Sequence, residues 1–358
     1  MAAYLALVLP AVNRVYAAAA PSLAVAELAA VDALALDGRL TGIEAVEIAG
    51  VPYISFGTAD DRPLDDAELD VVANLSFVFA IYEAGGAGDE VRLRPLPARR
   101  LDRWDSDLLT IQRYVGKTNE QLTKLLLNLA IAAGHGQDAF RGSKLRVLDP
   151  LCGRGTTLNQ AVMYGFDAAG IEVDLRDVDA YISFFTRWLK DKRAKHHADR
   201  RRVGRRGGSV VRFEVTIAKG KDARARGETQ EVVVVAEDTT RALDQFEKAS
   251  FDALVTDLPY GVQHRSRAGG SARRRPGELL DEALPVWRAL LRPGSGVAVA
   301  WNTRVLPRGA VREAFESAGL EVLDDPAWGS FAHRVDQSII RDVMVARRPA
   351  GPERAKLA

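Results

Sequence analysis

Cysteine is almost absent from this chain: Cys152 is the only one in 358 residues. A single thiol makes no intramolecular disulfide and no thiolate-rich metal site, and such sparse cysteine fits a reducing compartment, taken here as the cytoplasm. Charge of one sign is missing as well. The 49 Lys and Arg residues against 48 Asp and Glu leave a formal net charge of +1, so no partner can be read from the total. Long uninterrupted apolar runs are also lacking. The Ala-rich N-terminus is apolar up to Ala35, but Arg14 interrupts it and Glu27 and Asp32 fall at helical spacing. No basic segment precedes it, as a signal peptide requires, and no run approaches the roughly 20 apolar residues of a membrane span. The region predicts a buried strand and helix, with no membrane partner. No internal repeat of roughly 20–50 residues is present.

What is there is an ordinary globular composition, 47% hydrophobic and 27% charged, in a chain long enough for two domains with real cores. Residues 1–105 read as a small α+β domain. Tyr4 to Leu9 predicts a strand, and Ser22 is a candidate N-cap for a helix through Leu28. Ile43 to Phe56 predicts one or two strands, and Asp65 or Asp66 caps a helix through Leu75. Phe77 to Tyr82 is either its continuation or a strand. Gly85 to Gly88 reads as a turn.

From about residue 106 a lead-in precedes a helix capped by Thr118 or Asn119, with Leu122, Leu125, Leu126 and Leu129 on one face. Strand and helix patterns then alternate from 144 to 346, which predicts a mainly parallel sheet with helices on both faces. The apolar segments Leu320–Leu323 and Ile339–Ala346 suit an antiparallel pair at its edge. Lys190 to Gly227 breaks the rhythm. It carries Arg200-Arg201-Arg202 and Arg205-Arg206 with few acids, and Val210 to Ile217 alternates as one arm of a hairpin would. A tail follows residue 350.

Two motifs carry chemistry. The first is Asp149-Pro150-Leu151-Cys152-Gly153-Arg154-Gly155-Thr156, a strand-end acid and a glycine turn opening a helix. Backbone amides at a helix N-terminus, on the carboxyl edge of an open sheet, form a ligand site. A dinucleotide fingerprint would need a third glycine where Leu158 stands, and a P-loop ending at Gly116-Lys117-Thr118 would need glycine at Ile111. Glu172 ends the next strand about 20 residues on, the spacing of an acid that binds ribose hydroxyls, with Asp174 as the nearby alternative. Glu237-Asp238 ends the strand after that and could accept from an adenine amino group. The second motif is Asp257-Leu258-Pro259-Tyr260-Gly261 at the end of the apolar run from Phe251. Asp257 and a backbone carbonyl can accept hydrogen bonds from a ring amine, and Tyr260 can stack on the ring. Cys152 lies in the first turn, away from the second motif, and reads as a packing residue. His196-His197, in a basic run without acids at ligand spacing, reads as a solvated pair; no metal is expected.

In this order the motifs resemble class I S-adenosylmethionine-dependent amino-methyltransferases, over residues 110–348. Within that class the chain resembles the THUMP-related tRNA guanine-N2-methyltransferases. The resemblance is carried by Asp257 to Gly261, the lead-in Tyr114-Val115-Gly116-Lys117-Thr118-Asn119-Glu120 and the tail Arg334-Val335-Asp336-Gln337-Ser338. It implies a Rossmann-like, mainly parallel seven-stranded sheet over 106–350, with the basic stretch 190–227 as an insertion where a helix and a short loop are expected. It implies catalytic Asp257, Pro259 and Tyr260. Asp149, Gly153, Gly155, Glu172, Asp238, Thr118 and Asn119 would hold S-adenosyl-L-methionine, and the substrate would be guanine N2 in RNA, above all tRNA. Leu258 stands where many members have proline, and no THUMP signature is visible in residues 1–105, which fit a degenerate RNA-binding module. Arg265, Arg267, Arg273, Arg274 and Arg275 flank the second motif and suit phosphate contacts. DNA adenine-N6 methylation, which uses a similar motif, and a catalytically silent RNA-binding protein are the alternatives.

Overall fold

The computed structural model describes residues 3–11, 14–60, 62–85, 91–114, 116–205, 208–259 and 275–351. The chain first builds an antiparallel sheet with helices against it: β1 (Ala3–Val8), α1 (Arg14–Ala35), β2 (Leu40–Ile48), β3 (Val51–Thr58), α2 (Asp66–Ala73), β4 (Val78–Gly85) and β5 (Arg92–Pro95). Its strand order is β2-β3-β1-β4-β5. Asp65 caps α2 in a full capping box with Glu68, so two donors that the helix start would otherwise leave open are satisfied. Phe77 to Tyr82 belongs mostly to strand β4 rather than continuing α2.

Two expectations for this region fail. Ser22 does not cap a helix. It lies in the middle of α1 one residue after Pro21, and its hydroxyl donates to Ala19 O at 2.9 Å. Helix α1 is also long and apolar enough, by length and composition, to cross a membrane. Sequence reading undervalued it because Arg14, Glu27 and Asp32 break the apolar run. In the fold those two acids are buried. Asp32 accepts the Leu40 amide at 3.0 Å, and Glu27 accepts the Ser76 amide at 2.9 Å.

Short α3 (Asp107–Thr110) and α4 (Glu120–His135) lead into the second sheet, built from β6 (Arg146–Asp149), α5 (Thr156–Met163), β7 (Asp167–Glu172), α6 (Leu175–Asp191), β8 (Lys195–Arg205), β9 (Gly208–Ala218), α7 (Lys221–Ala225), β10 (Gln230–Ala236), β11 (Phe251–Asp257), α8 (Pro276–Leu290), β12 (Leu291–Asn302), α9 (Arg308–Ser317), β13 (Glu321–Leu323), β14 (His333–Arg334) and β15 (Ile340–Arg347). Strands β10, β7, β6, β11 and β12 are parallel neighbours. Strand β15 enters antiparallel between β12 and β13. These are the expected seven strands, but among the described residues the sheet has ten. Strands β9 and β8 extend it beyond β10, and β14 pairs with β15. The extra pair is the basic segment, expected as an insertion where a helix and a short loop would stand, with Val210 to Ile217 as one arm of a hairpin. Val211, Phe213, Val215 and Ile217 alternate on β9 and are buried, so one face of the hairpin has core to cover and the segment folds as sheet.

Helix α4 packs on β11, β12 and β15 of the second sheet and on α1, and is buried along nearly its whole length. It packs so closely on β12 that a Cβ on Gly296 would stand 2.0 Å from Ala130 O. A buried polar network crosses here. Asn128 donates to Glu27 at 2.8 Å and to Asn74 O at 3.0 Å, and Tyr164 donates to Asn128 Oδ1 at 2.9 Å. Burial pushes the Glu27 carboxyl up from its ordinary value. Asn128 is the shared member, so truncating it leaves several buried polar groups without a partner, each costly. Asn128→Ala is expected to lower the unfolding free energy by about 2–3 kcal/mol, read as a lower urea midpoint with an unchanged denaturant slope.

Candidate functional site

Because five neighbouring strands run parallel, their carboxyl ends share one edge. Asp149, Glu172, the Glu237-Asp238 pair and Asp257 all arrive there, at the place where open α/β sheets bind ligands.

The glycine turn follows β6. The Cys152 amide donates to Ile171 O at 2.9 Å and the Gly155 amide to Cys152 O at 2.7 Å. Gly153 and Gly155 take φ of 50° and 80°, a region that favours glycine. A Cβ on Gly155 would lie 2.3 Å from the Tyr181 ring. Cys152 is buried, and a Cβ on Gly170 would lie 2.6 Å from its sulfur. Burial pushes its thiol well up, which makes it an inert packing group. Asp149 is also buried. It accepts from the Leu151 amide at 3.1 Å and the Thr256 hydroxyl at 2.8 Å, so it fastens the turn to β11. Its pKa is pushed up to about 6, mainly by burial, against hydrogen bonds from Thr157, Leu151 and Thr256.

Glu172 braces the turn from β7. One carboxylate oxygen accepts the Gly153 amide at 3.0 Å and the other the Asp174 amide at 2.8 Å. An ionised carboxylate offers about four lone-pair sites, so about two remain for a ligand. Burial raises its pKa to about 7, against those two hydrogen bonds. Asp174, the alternative acid, caps α6 and pairs with Arg176 at 2.7 Å. Asp238 caps the short turn Thr239–Asp244, accepting the Thr240 amide at 2.9 Å. Its neighbour Glu237 is buried and accepts the Asp238 amide at 2.9 Å.

Asp257 ends β11, with Leu258 buried behind it and Pro259 exposed. The Leu258 amide donates to Ala300 O at 2.8 Å, keeping the motif in register with β12 for one residue beyond the strand. The Asp257 carboxylate accepts the Thr118 hydroxyl at 2.9 Å and the Arg341 guanidinium at 3.0 Å. Side-chain exposure is only 12% for Asp257 and 6% for Arg341. Burial pushes the Asp257 carboxyl up, and Arg341 and Thr118 oppose that shift. His333 stands opposite Arg341 in the β14–β15 register. Its Nδ1 lies 2.9 Å from Phe331 O, its ring meets Tyr16 of α1 edge-on at 6.1 Å, and burial lowers its pKa. Tyr260 lies outside the described residues, as do Arg265, Arg267, Arg273 and Arg274. Arg275 is exposed and sits 3.4 Å from Glu278 at the start of α8.

The lead-in joins the two halves of the site. Asn119 spends its side chain on capping α4, accepting the Gln121 and Leu122 amides at 2.9 and 3.1 Å. Thr118, expected on the cofactor, holds Asp257 instead. The Tyr114 hydroxyl lies 3.3 Å from the Thr156 hydroxyl at the glycine turn, and Arg154 stacks on the Tyr114 ring at 4.8 Å. Sequence reading missed Arg341 and His333. The signal for Arg341 was an Arg-Asp pair inside an apolar strand, where charge is rarely tolerated without a partner.

The seven-strand order and the acids along its carboxyl edge define a class I methyltransferase. The chain belongs to the RMKL-like methyltransferase domain family, which it matches over residues 120–321. A tRNA (guanine(10)-N2)-dimethyltransferase of Methanothermobacter thermautotrophicus is 27% identical over 171 residues, 48% of this chain and 35% of the relative. The chain therefore aligns with about a third of that relative's length. Among solved structures, TrmN from Thermus thermophilus is 19% identical, covering 73% of this chain and 57% of that one, with a TM-score of 0.39. A TehB-like SAM-dependent methyltransferase from Corynebacterium glutamicum is 18% identical, covering 59% and 84%, with a TM-score of 0.33.

The raised Glu172 pKa has a sign that can be tested. A carboxyl raised in the folded state contributes stability below its unfolded value, and that contribution is lost as pH rises toward the folded value of about 7. Glu172→Gln cannot ionise. Between pH 5 and 8 the wild type should lose about 1–3 kcal/mol of unfolding free energy relative to this variant, measured by urea unfolding of both across that range.

Proposed function

We propose that the protein is an S-adenosylmethionine-dependent RNA methyltransferase acting on an exocyclic ring amine, with guanine N2 of tRNA as the target. The observation that carries the reading is Asp257. A carboxylate ends a buried strand at the ligand edge, is anchored on one side by Thr118 and Arg341, and is followed by the exposed Pro259. The family and the aligned tRNA methyltransferase segment support it.

The residues on the other side of the site fit the methyl donor. The positive-φ turn Gly153–Gly155 keeps side chains away from a ligand's path, Glu172 has lone pairs to spare for two ribose hydroxyls, and Asp238 stands one strand further on for the adenine amine. Bound S-adenosylmethionine supplies a methyl group on an electrophilic sulfonium. The chain's part is to aim the amine. Asp257 and a backbone carbonyl of the motif accept its two N–H groups, which turns the lone pair out of conjugation and favours the positive charge that develops on nitrogen. Tyr260 is assigned to stack on the base. Thr118 couples the two halves, because the lead-in that lies over the glycine turn also holds Asp257. The separate antiparallel sheet supports treating residues 1–105 as a domain of their own, offered here as a substituted RNA-binding module.

Incubation with labelled S-adenosylmethionine and bulk tRNA, rRNA or DNA, followed by nucleoside analysis, tests the reading. N2-methylguanosine from tRNA is the expected product. N6-methyladenine would keep the amine pocket and overturn the guanine assignment; no labelled nucleoside from any substrate would overturn the enzyme.

A further inference from the structure

The hairpin β8–β9 concentrates charge that the chain as a whole lacks. Residues 195–218 hold seven Lys and Arg and two Asp and Glu, an excess of five cations in a chain of net charge +1. The register places that charge. Arg212 pairs with Val235 one residue before β10 ends at Ala236, and β8 closes back on β9 through Arg202 opposite Val211 and Arg205 opposite Gly208. Residues 202–205 and 208–211 therefore project past the carboxyl end of β10, on the edge where Glu172, Asp238 and Asp257 arrive. At about 3.3 Å per residue the overhang is roughly 13 Å. Five strand spacings separate β8 from β11, or about 24 Å at roughly 4.8 Å each, close to the width of a nucleic-acid duplex.

We propose that this hairpin is a phosphate-gripping arm. It holds the backbone of the substrate RNA at the carboxyl edge while the target nucleotide reaches Asp257. This rests on the RNA-methyltransferase reading above and adds a contact surface to it. Arg200, Arg201 and Arg202 are all exposed. Arg200 pairs with Asp179 at 2.8 Å, and Arg201 pairs with Asp199 at 2.5 Å and with Glu214 at 2.7 Å. Exposure of 48% and 47% marks the first pair as a surface pair, and such pairs are worth about 0–1 kcal/mol, little enough to be exchanged for phosphates. Arg202 lies 3.5 Å from the Ser209 hydroxyl, near the tip. The competing role for the same charges is to keep the open edge of β8 from pairing with other strands.

The test uses the full chain, bulk tRNA and S-adenosylmethionine. The Arg200→Gln/Arg201→Gln/Arg202→Gln variant should bind tRNA with a log Kd against log salt slope lower by about two to three, since each lost phosphate contact removes about 0.9. Its KM for RNA should rise while kcat and S-adenosylmethionine affinity hold. The corresponding triple lysine variant should keep the slope, which separates lost charge from lost fold. An unchanged slope and KM in the glutamine variant overturns the arm, as does a variant that aggregates yet binds RNA as before. If the wild type binds tRNA but methylates none, the enzymatic reading fails; the arm then stands or falls on the binding slope alone.

Discussion

The Asp257–Arg341 pair fixes much of the rest of the site. A carboxylate at the end of a buried strand is costly to ionise, and an arginine with 6% side-chain exposure is costly without an anion. Each makes the other tolerable, and the Thr118 hydroxyl donates to the same carboxylate. The pair ties β11 to β15 across β12, so the strand that carries the candidate target site is clamped to the antiparallel edge. Breaking a buried pair from one side costs about 3–5 kcal/mol, which makes the position of Asp257 a property of the whole sheet end.

The same economy governs the glycine turn. Asp149 and Glu172 are both raised by burial, and both spend oxygens on backbone amides or on hydroxyls of the turn and its neighbours. They hold the cradle in shape before any ligand enters, a form of preorganisation that lowers what binding must later order. Behind them α4 packs between the second sheet and α1, and the Glu27–Asn128–Tyr164 network keeps the N-terminal helix in register with it. His333 meets Tyr16 of that helix, so the N-terminal region also abuts the Asp257 side of the site.

The alternation of strands and helices was legible because the parallel strands β6, β7 and β11 are short apolar runs ending in an acid. Asp149, Glu172 and Asp257 could be placed at strand ends from spacing alone. The hairpin was half legible: Val210 to Ile217 alternates, but the arginines of β8 hide a strand whose partner supplies the apolar face. Helix α1 was misjudged at Ser22, because a hydroxyl beside proline reads as a start signal while Pro21 is accommodated inside the helix. Arg341 was not found, since its partner stands 84 residues earlier in the chain and local patterns do not report such pairings. Thr118 was assigned to the ligand side on the lead-in resemblance, whereas the fold turns its hydroxyl toward Asp257.

The central claim is that Asp257 serves the amine and not the methyl donor. The most direct measurement is made on one preparation of Asp257→Ala: S-adenosylmethionine affinity by calorimetry and single-turnover methyl transfer to tRNA. The account predicts donor affinity close to that of the wild type, which also shows that the fold has survived, with transfer slowed by about a hundredfold or more. Transfer at the wild-type rate would contradict it.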